Sequence, residues 1–210
     1  MTTGKTFLQL LGLSCAGFLS AAAGEFPDEW FYKEGAARAN QAALEGKPMP
    51  SLAGLTEWMN GTITSADIKG KVFVVDFYAT WCPPCMAAIP HNRELLKENK
   101  DKGLVLLGVC TSSSGSEKMA ANARQYGINY TIARDATEKV ADTWAVSSYP
   151  TYAVMDRKGI VRAVGLVPSK LDEVVKKLLA EPAPGTNAPS VSAKPVPPAA
   201  KPIAPPAPKS

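Results

Sequence analysis

Apolar residues along this chain recur in two rhythms, and the places where the rhythm changes mark out its elements. Residues 26–44 carry Trp30, Ala37 and Leu44 at heptad-like intervals, which predicts a helix ended by "GKPMP". In "LTEWMNGTITS", Asn60-Gly61 stands between two short runs, the local signal for a hairpin. "KVFVVDFYA", residues 71–79, is almost continuously apolar with a single carboxylate, the pattern of a central strand covered on both faces. A helix is expected from the cysteine pair that follows to about residue 100. "GLVLLGVC", residues 103–110, reads as a second buried strand, and 117–126 as a helix stopped by Gly127. Residues 129–133 form a short strand, after which Asp135 is expected to cap a helix reaching Trp144. "TYAVM" and "IVRAVG" flank "DRKG" as a second hairpin. The last helix, 170–180, has Ser169 as its expected N-cap, with Asp172 three residues on and an apolar stripe of Leu171, Val174, Val175, Leu178 and Leu179. The order βαβαβαββα predicts an α/β fold: a mixed sheet between helices that finishes on an antiparallel edge.

The two ends break this pattern. Lys5 with the chain amine, an uncharged apolar run over 7–19 and Ala21-Ala22-Ala23 read as an export signal cut before Gly24. The alternative is a retained membrane tether, because 7–23 is uncharged throughout and reaches the short limit of a span. Cys15 in "LSCAG" adds a lipoprotein option, although Gly12 replaces the leucine such sites carry. From residue 181, ten of thirty residues are proline and most of the rest are Ala, Lys or Ser, a composition that cannot bury enough surface to order itself. The expected organisation is therefore a signal or anchor over 1–23, a helical extension over 24–49, one α/β domain over 50–180 and a disordered tail over 181–210. Between the two ends, 19 basic residues face 18 acidic ones, so the slight basic excess of the whole chain gives no nucleic-acid footprint.

Candidate chemistry concentrates in "YATWCPPCMAAIP". Cys82 falls where a buried strand gives way to a helix, so unpaired N–H groups and the positive end of the helix dipole favour a thiolate there. Pro83 suits the first turn, and Cys85, one turn on, is close enough to bond Cys82 while lying less exposed. That makes a nucleophile and a resolving thiol. Asp76 interrupts the apolar strand six residues earlier, and a desolvated carboxylate must find a partner or hold a proton. A raised pKa would let it exchange a proton with Cys85 through water. Tyr149-Pro150-Thr151 precedes a strand, which makes Pro150 a candidate cis peptide.

"VVDFYATWCPPC", Pro90 five residues after Cys85, "SSYPT" and the closing hairpin and helix together resemble the thioredoxin superfamily, and within it the exported TlpA/ResA-like thiol-disulfide oxidoreductases. The resemblance implies a thioredoxin-like sheet with an extra strand and helix over 129–144. It implies a redox-active Cys82–Cys85 disulfide, Pro150 cis against the Cys82 sulfur, Asp76 as the buried acid, and Pro90 as a kink in the active-site helix. Trp81, Tyr149 and Pro150 would form the surface that receives a protein dithiol or disulfide. A membrane thiol donor would supply electrons, with an apocytochrome c or another exported protein as target, in the periplasm or elsewhere outside the cytoplasm. Ala88 and Ser148 depart from residues frequent in that group, Glu and Gly, which bears on the partner rather than on the chemistry.

Other readings compete with this one. A zinc clip needs about four ligands, and beyond the pair the mature chain has Cys110, expected as a core thiol, and His91, expected as an exposed helix residue. A purely structural disulfide would close only a tiny loop. An adaptor that keeps the fold and binds partners through its Pro-rich tail is the alternative of another class. The reading favoured over these is an exported thiol-disulfide oxidoreductase acting as a reductant, with no metal and no dissociable cofactor.

Overall fold

A computed structural model describes residues 25–32, 35–111 and 114–183; the expected leader and nearly all of the expected tail lie outside the described residues. Strand β2 (Val72–Tyr78) organises the rest, because all seven of its residues are buried. Its odd residues Phe73, Val75 and Phe77 enter one apolar cluster, and its even residues Val72, Val74 and Tyr78 enter the other. The two-residue repeat of a strand therefore sends one segment into both halves of the core.

Around β2 a six-stranded sheet runs in the order β1-β4-β3-β2-β5-β6, the others being β1 (Thr56–Met59), β3 (Leu104–Thr111), β4 (Thr131–Asp135), β5 (Thr151–Met155) and β6 (Val161–Leu166). Strands β2, β3 and β4 are parallel, while β1, β5 and β6 each run antiparallel to the neighbour they join. Helices α3 (Pro83–Asn99), α4 (Met119–Tyr126) and α6 (Leu171–Ala180) cover the even face, supplying Ile89, Met119 and Val174 among others. On the odd face α5 (Lys139–Thr143) contributes Val140 and Ala141, and Trp144 packs at 5.8 Å from Phe77. The mixed sheet between helices is as expected, including the extra strand and helix β4–α5. Among the described residues, no helix is long and apolar enough to cross a membrane.

Three local expectations need correction. The helix read over 26–44 is confined to α1 (Gly35–Ala42), preceded by a 3-10 turn at Asp28–Trp30. Between them the backbone pairs with the open edge of β6: Tyr32 N donates to Gly165 O, Val167 N donates to Trp30 O, and Phe31 bridges Leu166. Edge pairing has overridden the helical spacing, and the extension closes an edge that would otherwise be exposed.

The hairpin read at Asn60-Gly61 does not form. Asn60 takes a positive φ of 59° and its Nδ2 donates to both Ile128 O and Tyr130 O, so β1 is delivered to β4 instead. The chain then enters α2 (Ser65–Ile68), started by a Thr64–Asp67 capping box.

At the later helices the cap residues are displaced. Asp135 ends β4 and reaches forward, its Oδ2 accepting from Ala141 N at 2.8 Å, while Glu138 occupies the N-cap of α5. Ser169 lies in a 3-10 turn, Lys170 takes the N-cap of α6, and Asp172 meets His91 Nε2 at 2.9 Å.

The extension is locked by close packing and by charge. Arg38 pairs with buried Glu45, whose Oε1 accepts from Val164 N, and Arg162 gathers Glu25, Asp156 and Glu181, which joins both ends of the described domain to β6. Gly165 has φ +89°, and a Cβ there would collide with the side chain of Gln41, which is fully buried. Gly165→Ala is accordingly expected to destabilise the protein by about 2–4 kcal/mol in urea unfolding. Adding Gln41→Ala should recover the overlap but not the backbone strain, leaving a deficit of about 1–2 kcal/mol. Full recovery in the double variant would show that left-handed strain plays no part.

Candidate active site

The C-terminal end of β2 delivers the cysteine pair. Cys82 is the N-cap of α3, in extended geometry, and Pro83 and Pro84 occupy the first two helical positions. Neither proline has an N–H, so Cys85 N is the first helical amide able to reach the Cys82 sulfur, and it donates to Sγ at 3.3 Å. Cys82 and Cys85 are joined as a disulfide with Cα atoms 5.3 Å apart. The expected contrast in exposure is not seen in this state. Cys82 is 3% exposed and Cys85 2%, because the closed pair packs as one unit into the even-face cluster.

Around the pair, the sequence-predicted surface residues come together. Trp81 is 58% exposed, and its ring stands edge-on to Tyr149 with centroids 5.9 Å apart. The Tyr149-Pro150 peptide is cis and Pro150 is buried. Register explains the meeting: Phe77 of β2 lies opposite Thr151 of β5, so the ends of both strands, and the loops beside them, share one edge of the sheet. The segment before Cys82 is also fastened from β3's side. Trp81 Nε1 donates to Ser114 O at 3.0 Å, and Thr80 Oγ1 donates to Gly115 O at 2.8 Å. Gly115 has φ +91° and comes so near that a Cβ would lie 2.8 Å from Thr80 Oγ1. That clamp was not legible in the sequence.

Asp76 lies beneath α3 on the same even face. It is 2% exposed, and burial pushes its carboxyl up to about 7, opposed by a hydrogen bond from Asn92 Nδ2 to Oδ2 at 2.8 Å. Asn92 Oδ1 in turn accepts from the Tyr152 hydroxyl at 3.0 Å, and Tyr152 is the residue opposite Asp76 on β5. Among the described residues, Asp76 Oδ1 has no hydrogen-bond partner. Sequence reading did not single out Asn92 or Tyr152. The signal available was the spacing of Asn92, seven residues and two turns after Cys85, which places a polar residue on the buried face of α3.

The remaining candidates stay apart from this constellation. Burial pushes the Cys110 thiol up to about 12, which makes it unreactive near neutrality, as expected of a core cysteine. His91 is exposed and paired with Asp172. Among the described residues, no three His, Cys, Asp or Glu side chains come together as a metal-holding group.

Residues 46–164, more than half of the chain, match the AhpC/TSA family. The chain belongs to the AhpC/TSA family. This AhpC/TSA chain is 31% identical over 159 residues to protein DipZ of Mycobacterium tuberculosis, covering 70% of itself and 23% of DipZ. It is 31% identical over 117 residues to the thiol-disulfide oxidoreductase ResA of Bacillus anthracis, covering 55% of itself and 66% of ResA. It thus spans less than two thirds of either relative. A thiol-disulfide isomerase from Corynebacterium glutamicum superposes with a TM-score of 0.57 at 22% identity, covering 64% of this chain and 97% of that one, which shows a shared thioredoxin-like fold. The resemblance read from the cysteine motif is borne out in family and fold.

Burial of Asp76 has a thermodynamic consequence for this AhpC/TSA domain. A carboxyl that titrates near 3.8 in the unfolded chain and about 7 in the folded one holds its proton more tightly when folded. Below 3.8 it is neutral in both states and costs nothing; between 3.8 and about 7 the unfolded chain ionises first and stability falls. Above that window the loss levels off at about 4 kcal/mol. Asp76→Asn should therefore be more stable than wild type by about 1–2 kcal/mol at about pH 5 and by about 4 kcal/mol at about pH 8 in urea unfolding. A margin that does not change with pH would mean that no ionisation penalty resides at Asp76.

Proposed function

We propose that this protein is an exported thiol-disulfide oxidoreductase that reduces disulfides in protein substrates through Cys82 and Cys85. The observation that carries this reading is the placement of the Cys82 sulfur at the mouth of α3, bonded to Cys85 N, with Cys85 one turn behind it. The kinship with ResA supports the chemistry, and the leader read over 1–23 supports export.

In the reducing direction, Cys82 thiolate attacks one sulfur of the substrate disulfide and the second substrate sulfur leaves as a thiolate. Cys85 then attacks Cys82 Sγ. The Cys82–Cys85 bond forms, the mixed disulfide breaks, and its electron pair leaves on the remaining substrate sulfur. Two electrons have passed to the substrate. Asp76 accepts the Cys85 proton through water and returns it when a thiol donor, proposed to be membrane-bound, reduces the pair again. Trp81, Tyr149 and Pro150 form the surface on which the substrate segment lies, and an exported protein such as an apocytochrome c is the proposed target class.

The helix terminus supports the reducing direction. An oxidising pair is one whose reduced form is stabilised, which needs donors aimed at the thiolate. Here Pro84 removes the donor of the second helical position, which leaves Cys85 N to reach the sulfur. A potential nearer to about −270 mV than to about −120 mV is expected in equilibrium with glutathione. Pro84→Ala restores a donor at the second helical position and should raise the potential by about 20–40 mV, one hydrogen bond's worth. A wild-type potential at the oxidising end would refute the reductant assignment.

Activity tests the wider reading. Insulin reduction should vanish in Cys82→Ser, and Cys85→Ser should accumulate a covalent complex with its substrate. Should the Cys82→Ser, Cys85→Ser double variant bind partners as wild type does, and lose them only on deletion of 181–210, the protein would instead be an adaptor.

A further inference from the structure

Asp76 sits in an unusual setting for a group that must gain and lose a proton. The side chains that act on it or feel its charge are Asn92 from α3, Tyr78 from β2 itself, Tyr130 ahead of β4, and Tyr152 from β5. Three of these are phenols whose own ionisation the Asp76 charge opposes. Among the described residues, no lysine or arginine acts on Asp76; the one group that favours its charged form is Asn92.

Geometry then distinguishes the two carboxyl oxygens. Oδ2 is engaged by Asn92 Nδ2 at 2.8 Å, whereas Oδ1 is buried without a partner among the described residues. An ionised carboxylate only accepts, so Asp76 takes the Asn92 NH2, and the amide oxygen left over accepts from the Tyr152 hydroxyl at 3.0 Å, which holds the amide at both ends. Tyr152 is itself fixed by its place opposite Asp76 in the β2–β5 ladder.

We infer that Asn92, held by Tyr152, is a positioning residue for Asp76, pinning Oδ2 so that Oδ1 is the oxygen that exchanges the proton when the mixed disulfide is resolved. This inference rests on the proposed role of Asp76 and extends it. In the resolving step the Cys85 proton passes to a water, which releases one of its own to Oδ1. The Cys85 electron pair bonds to Cys82 Sγ, and the substrate thiolate leaves. Asn92 exchanges no proton; its hydrogen bond strengthens when Asp76 is charged, and so sets the pH at which the carboxylate is available.

The test is a carboxyl titration together with a rate profile, both on the full chain. Asp76 is followed by carbon NMR in aspartate-labelled protein, and resolution is followed in single turnovers as release of the second thiol from a disulfide-linked peptide. Asn92→Leu should move the titration upward by about one to two pH units, the worth of a hydrogen bond to a charged group. The midpoint of the resolution profile should follow it, with a rate loss of at least about fivefold near pH 7. Tyr152→Phe, which keeps the ring, should move both in the same direction by a smaller amount, and it serves as the reading should Asn92→Leu fail to fold. An unchanged carboxyl titration in a folded variant overturns the inference whatever the rate does. Resolution at the wild-type rate in Asp76→Asn overturns the reading of Asp76 itself, and the inference with it, so the two failures are distinguishable.

Discussion

A strand with no exposed residue constrains everything built on it. β2 is hydrogen-bonded to β3 and β5 on its two edges and packed by separate clusters on its two faces, so it cannot shift without disturbing both halves of the core. Its end is therefore a fixed point, and Cys82 lies four residues beyond it. The loop carrying Pro150 is referenced to the same strand through the Phe77–Thr151 register. Thr80 and Trp81 are referenced to β3 through Ser114 and Gly115. Loop residues that would otherwise wander are thus set against one another by the sheet, which is the condition for a site that must present a sulfur in one orientation.

The same burial makes Asp76 expensive. Its position is central, opposite Gly108 on one side and Tyr152 on the other, so no movement of the strand end can bring it to bulk solvent. A carboxylate with one hydrogen bond and no cation is under-compensated by several kcal/mol at neutral pH, comparable with a large share of a domain's net stability. The protein withstands this through apolar packing elsewhere, including the N-terminal extension that covers the β6 edge. A purely structural role would be met as well by asparagine or leucine, so the cost supports the proton exchange proposed for this position.

Much of this was legible in the chain of letters because the strongest signals are local. The apolar run at 71–79, the stop at Gly127 and the stripe of α6 each follow from one segment's own pattern, and each is found where expected. The Asn60-Gly61 hairpin and the 26–44 helix failed for a common reason. Both segments lie against an open strand edge, β4 in one case and β6 in the other, and pairing with that edge outweighs the local preference. At the site, Cys82, Cys85, Trp81 and Asp76 could be read from one short stretch of sequence. Tyr152 and Gly115 could not, because their relation to it depends on register across three strands, and Asn92 left only its helical spacing from Cys85 as a signal.

The two cysteines in the proposed cycle have opposite electrostatic needs, and the structure meets them separately. Cys82 needs its anion stabilised only enough to attack, and one amide at a helix mouth with two prolines supplies a limited amount. More donors would make the thiolate a better leaving group and the pair a stronger oxidant, at the expense of reduction. Cys85, buried in the closed pair, has to lose a proton in the proposed resolving step. A carboxyl that titrates near neutrality suits that task better than an ordinary aspartate, because it still binds the proton firmly enough to take it from a thiol. Moderation at the first sulfur and a costly buried acid behind the second are therefore complementary, and both trace back to the point where β2 ends and α3 begins.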